Sequence, residues 1–145
     1  MIRRSNISLK RQPGLVARRV ILDDKKLVYV LVASKGLKYG KNRSRIAYIG
    51  TTKKGGSRIA GSVSSRCSSI LGLHGVKEFE ARIITCRPRQ RVKMWIKLER
   101  ALLLVFREMY DAVPKCNIQG KRFVESDEFD YFARARIKSI LDHMA

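Results

Sequence analysis

Glu99 falls inside an apolar stripe, and a carboxylate in that position has to be paired, hydrogen-bonded or bound to a metal ion. The stripe belongs to an amphipathic helix expected over residues 89–112. There Val92, Trp95, Ile96, Leu102, Leu103, Phe106 and Tyr110 recur at three-, four- and seven-residue steps around Glu99. An ion pair with one of the chain's many arginines meets the need as well as a metal does. Other residues able to do chemistry lie upstream and downstream of this helix. Tyr29 and Tyr48 sit in two apolar runs, Arg58 follows a glycine break, and Asn117 comes soon after Pro114. Together they offer phenol hydroxyls, a fork-shaped permanent cation, a hard oxygen donor and a carboxamide. A permanently charged, fork-shaped group such as Arg58 suits a phosphate.

The charge balance points the same way. In 145 residues there are 32 Lys+Arg against 12 Asp+Glu, a net charge of +20. Folding does not require such an excess, and its self-repulsion opposes compaction. The cations run from Arg3 to Lys138 without being confined to a tail, which favours nucleic acid over a membrane surface. Cys67, Cys86 and Cys116 are widely spaced, form no Cys-x-x-Cys pair, and make no zinc set with His74 and His143. They read as small apolar residues in a reducing compartment. No long apolar run follows the basic start, and nothing approaches the roughly 20 apolar residues of a membrane helix. A soluble, intracellular protein of the cytoplasm, nucleoid or nucleus is expected, with no membrane partner.

The elements that must position these groups follow from the pattern. Residues 1–24 form a basic arm around Pro13-Gly14, with Arg3, Arg4, Lys10, Arg11, Arg18 and Arg19. Residues 27–33 are a β-rich apolar run that reads as a buried central strand, and 34–44 as a basic hairpin loop. Residues 45–50 return as the second strand. After Gly55-Gly56, Ser57 is the expected N-cap of a weak helix through Ile59, Val63, Cys67 and Ile70. A third strand is expected over 76–85, with Phe79, Ala81 and Ile83 alternating against Glu78, Glu80 and Arg82. Pro88 then opens the Glu99 helix and Pro114 follows its end. A last helix starts at Ser126-Asp127-Glu128, with its acids at the positive end of the helix dipole. The order is β-β-α-β-α-α: an α+β fold, a small three-stranded antiparallel sheet flanked by helices. One domain is expected over 25–120, with 121–145 as a C-terminal helical extension packed on it.

These residues resemble the GIY-YIG nuclease family. Tyr48-Ile49-Gly50 is a literal match to its second motif. Lys53 and Arg58 stand three and eight residues after Gly50, where the family has a basic residue and its catalytic arginine. His74-Gly75-Val76-Lys77-Glu78-Phe79 is similar to the family's turn into its third strand. Glu99 is similar to its metal-binding glutamate, and Pro114 with Asn117 to its closing Pro-x-x-Asn. Three departures accompany the likeness. The first motif is Leu27-Val28-Tyr29, with the tyrosine but no glycine. Residues 34–44 lengthen the hairpin, and Ser62 occupies the position four after Arg58 that is often His or Tyr.

The resemblance implies a stand-alone endonuclease that hydrolyses phosphodiester bonds in DNA, with RNA not distinguished by the sequence. It implies that Tyr29 and Tyr48 position or activate water, Arg58 binds the scissile phosphate, Glu99 holds one Mg²⁺ or Mn²⁺, and Asn117 orients the site. Lys53 and Arg66 would support the substrate backbone. One glutamate is enough for the metal, because Mg²⁺ keeps several waters and often takes only one or two carboxylates. A tyrosine hydroxyl ordinarily has a pKa near 10, so either phenol could relay a proton only with a cation nearby. The rival reading is a non-catalytic nucleic-acid-binding module that keeps the fold.

Overall fold

Residues 27–33 of the first strand are buried without exception, which requires cover on both faces of the sheet. The computed structural model describes residues 3–12, 25–117 and 124–145, and for residues 56–58 the backbone alone. Strand β1 (Leu27–Tyr39) is central, between β2 (Asn42–Thr52) and β3 (Phe79–Ile84), and both pairings are antiparallel. Helix α1 (Gly56–Leu71) lies against all three strands. Helix α2 (Met94–Tyr110) packs on β1 and β2, and on its other side meets α3 (Glu128–Tyr131) and α4 (Arg134–Met144). The fold is α+β in the expected order, with the last helical segment divided in two. No helix among the described residues is long and apolar enough to cross a membrane.

The hairpin is longer than its composition suggests. Residues 34–44 continue both strands, and only Gly40 and Lys41 form the loop between Tyr39 and its partner Asn42. Gly40 has φ 58°, the left-handed value that a two-residue hairpin loop needs at its first position. The register shifts between Val32 and Leu37, which accommodates the extra residues of β1 as an irregularity. What holds the extension is Tyr39. Its buried ring packs edge-on against Phe106 of α2, with centroids 5.1 Å apart. Its hydroxyl donates to the Ile46 carbonyl at 2.7 Å and accepts the Lys115 N–H at 2.9 Å. Burial, only partly offset by the Lys115 bond, pushes its pKa up to about 12.

Helix boundaries differ from expectation for local reasons. Helix α1 starts at Gly56 with Gly55 (φ 76°) as N-cap, ahead of Ser57. Helix α2 starts at Met94 because residues 89–92 form a tight turn with Arg91 at φ 63°. It ends where Asp111 turns left-handed and its N–H bonds back to the Arg107 carbonyl. Extended backbone at Phe132 and Ala133 separates α3 from α4. Strand β3 spans Phe79–Ile84, shorter than 76–85, and Ala81 is exposed on it, so the alternation is incomplete.

The buried face of α2 is also rotated from the expected one. Met94, Leu98, Ala101, Leu102, Leu103, Leu104, Val105 and Phe106 are buried, whereas Ile96 is 38% exposed. Glu99 therefore lies half-buried beside the core rather than in the centre of a buried stripe. The carboxylate that is fully buried is Glu128, 1% exposed. It accepts Arg100 Nε at 2.7 Å and the Ser126 N–H at 2.7 Å. From α4, Ile137, Leu141 and Met144 complete the core. Residues 3–12 are exposed, including Ile7 and Leu9, while Arg18 and Arg19 of the expected arm lie outside the described residues.

Candidate active site

The pleat brings the YIG residues together before any helix contributes. Tyr29 pairs across the ladder with Gly50, and Leu31 with Tyr48, so the two tyrosines are diagonal neighbours on one face. Their ring centroids are 5.8 Å apart at 38°. Gly50 permits this approach. A Cβ at that position would come within 2.5 Å of Tyr48 Cε1 and 2.9 Å of the Tyr29 phenol carbon and oxygen. No side chain larger than hydrogen fits unless both rings move. Gly50→Ala is therefore expected to cost about 1–3 kcal/mol, as overpacking does, and to disturb both tyrosines together. Chemical unfolding compared with the ultraviolet tyrosine spectrum checks this.

Two helices reach the pair. From α1, the Arg66 guanidinium sits 4.0 Å from the Tyr48 ring centroid, a cation–π contact. From α2, the charge of Glu99 acts on the Tyr48 phenol. Burial first, then Tyr29 through its field and a hydrogen bond, and finally Glu99 hold Tyr48 well above the ordinary tyrosine pKa, while Arg66 pulls the other way. Tyr48 thus keeps its proton at neutral pH and serves as a hydrogen-bond donor. Tyr29 is buried, 2% exposed, with its polar group engaged by its neighbour.

Asn117 closes the edge of β2. Its Oδ1 accepts the Ile49 N–H at 3.0 Å and its Nδ2 donates to the Ile49 carbonyl at 2.9 Å. With the Cys116 N–H donating to the Ala47 carbonyl at 2.9 Å, residues 116–117 flank Tyr48 on both sides. Asn117 holds the backbone that carries Tyr48, and its side-chain bonds go to that backbone. Lys53 is exposed just beyond β2. The Arg58 backbone belongs to the first turns of α1, and its side chain lies outside the described residues. Ser62, four residues on, is half-buried, and its carbonyl accepts a bond from the Ser65 hydroxyl at 2.9 Å.

Tyr29, Tyr48, Arg66 and Glu99 therefore converge, and Asn117 buttresses them. Gly50 and Tyr39 are the residues that sequence reasoning undervalued. The alternation Leu37-Lys38-Tyr39 before Gly40 was the available signal for the second. Among the described residues no group of three or more His, Cys, Asp or Glu is placed to hold a metal ion. The three cysteines are unpaired and half-buried, and burial raises the thiols of Cys86 and Cys116. A shallow surface cavity of about 380 Å³ is lined by Asn42, Arg43, Met109, Tyr110 and Lys138 at the hairpin tip and includes none of the converging residues. No family model, curated protein or solved structure matches this chain.

Proposed function

We propose that this chain is a divalent-metal-dependent endonuclease of the GIY-YIG type, acting on DNA. The observation that carries the reading is the Tyr29–Tyr48 pair over Gly50, with Arg66 and the Glu99 charge brought to the same phenol from two helices. Packing alone does not call for a carboxylate, a guanidinium and two phenols at one point. The net charge of +20 supplies the attraction for a polyanion. The site would work in the cytoplasm, nucleoid or nucleus, where such a substrate is found.

A hard cation fits the donor set, since a single half-buried carboxylate suits an ion that retains most of its water. Glu99 would hold Mg²⁺ or Mn²⁺, which when bound supplies charge neutralisation at the phosphoryl and leaving oxygens. In hydrolysis the water oxygen bonds to phosphorus and loses a proton to solvent, while the P–O bond to the leaving oxygen breaks and that oxygen takes up a proton from solvent. Tyr48 retains its proton, which Tyr29 engages, and its oxygen would accept a hydrogen bond from the attacking water and so orient it. Tyr29 fixes the Tyr48 hydroxyl. Arg58 would grip the scissile phosphate, with Arg66 and Lys53 along the strand and Asn117 keeping Tyr48 in register.

The test is nicking of supercoiled plasmid with Mg²⁺ or Mn²⁺ against chelator. Metal-dependent nicking supports the reading, and binding without nicking leaves the non-catalytic module in its place. Tyr48→Phe keeps the ring but removes the hydroxyl. A neutral hydrogen bond is worth about 0.5–1.5 kcal/mol, so the nicking rate should fall by roughly two- to thirteenfold. A fall of 10²-fold or more, in the range of general-base loss, would instead make Tyr48 the proton acceptor.

A further inference from the structure

Charge is compensated unevenly along α2 and its surroundings. Lys97, Arg100, Arg134 and Lys138 each meet a carboxylate from α2, α3, α4 or the segment before α3. The turn that leads from β3 into α2 concentrates four cations within seven residues. Arg87, Arg89, Arg91 and Lys93 are all exposed on it, and none takes part in an ion pair among the described residues. The turn is held closed. The Val92 N–H donates to the Arg89 carbonyl at 3.3 Å, and the Met94 N–H to the Val92 carbonyl at 3.0 Å. Arg91 accepts a left-handed φ of 63°, which is unfavourable for an arginine. The Arg89 guanidinium lies 5.3 Å from the Tyr131 ring centroid, which steadies one side.

We propose that this turn is a clamp for the backbone of duplex DNA, gripping successive phosphates of one strand. The binding does not rest on the nuclease reading. Cations at every second residue from Arg87 to Lys93 suit a strand that presents a phosphate about every 3.4 Å of helix axis. A protein partner fits less well, because the exposed turn offers charge without an apolar centre, and Val92 is half-buried. Phosphates need only the charge.

The experiment is fluorescence anisotropy of a labelled duplex in chelator, across a salt series. Arg89→Gln with Arg91→Gln should lower the log–log salt slope by about 1.8, at about 0.9 per phosphate contact. Arg87→Gln with Lys93→Gln should do the same while leaving the Arg91 backbone and the Arg89–Tyr131 contact alone. Arg136→Gln with Lys138→Gln on α4 removes equal charge and should leave the slope unchanged. An unchanged slope in both turn pairs, or an equal fall in the α4 pair, overturns the clamp. Wild-type nicking in Mg²⁺ is scored separately. Nicking with an unchanged slope removes the clamp alone, and a lost slope without nicking removes the nuclease reading alone.

Discussion

Glu99→Gln is expected to lower metal-dependent nicking by at least about 10²-fold while leaving duplex binding in chelator close to wild type. A bound cation contributes several kcal/mol of transition-state stabilisation, and about 3 kcal/mol already corresponds to that factor. Glutamine keeps the shape and one oxygen but loses the charge that would hold a hard ion. Binding should persist because one carboxylate changes little in a chain of net charge +20. Glu99 is half-buried at the margin of the α2 core face, so the fold should tolerate the change, as thermal unfolding can verify. Nicking at the wild-type rate with Mg²⁺ would remove Glu99 from the site. Its field on Tyr48 would then be incidental to packing.

Arg100→Ala is expected to destabilise the protein by about 3 kcal/mol at neutral pH, because it strands the buried Glu128 carboxylate. Burial pushes the Glu128 pKa up, but bonds from Arg100 and from the Ser126 and Glu128 backbone outweigh it and hold the carboxyl below the ordinary glutamate range. A lowered carboxyl pKa adds stability above its unfolded value, and that stability disappears as the pH falls through the folded one. The gap between wild type and Arg100→Ala should therefore be full at pH 7 and narrow below about pH 4. Once Glu128 is protonated, it no longer needs the guanidinium. Urea unfolding at both pH values measures this, and an equal gap at both would show that lost packing of the Arg100 stem accounts for the loss. Arg100 Nη2 also donates to the Val124 carbonyl at 2.8 Å, so a pH-independent remainder is expected.

Glu99 and Glu128 show where sequence reasoning stops. Helical periodicity finds α2, because apolar residues at three- and four-residue steps must share a face. It does not fix the rotation of that face. Leu98, Ala101, Leu104 and Val105 widen the apolar surface, and the choice among faces is made by β1, β2 and α4, distant in sequence. The stripe drawn through Ile96 therefore placed Glu99 too deep. Glu128 sits near the start of a short helix, where an acid is favoured whether or not it is buried, and only the docking of Arg100 reveals which applies.

The sequence by itself determined the α+β order, the central strand, the basic character and the residue types at the site, because each is a local property: composition, period or spacing. Tertiary structure decided the rest. It converted residues 34–44 from loop to paired strand by seating Tyr39 against Phe106. It turned Gly50 from a motif letter into the space that lets two phenols meet. It made Asn117 the clasp of Ile49, and it brought Arg66 and Glu99 to one ring from helices separated by a strand. Side-chain distances between such segments depend on how whole elements pack, and no local pattern of residues records that.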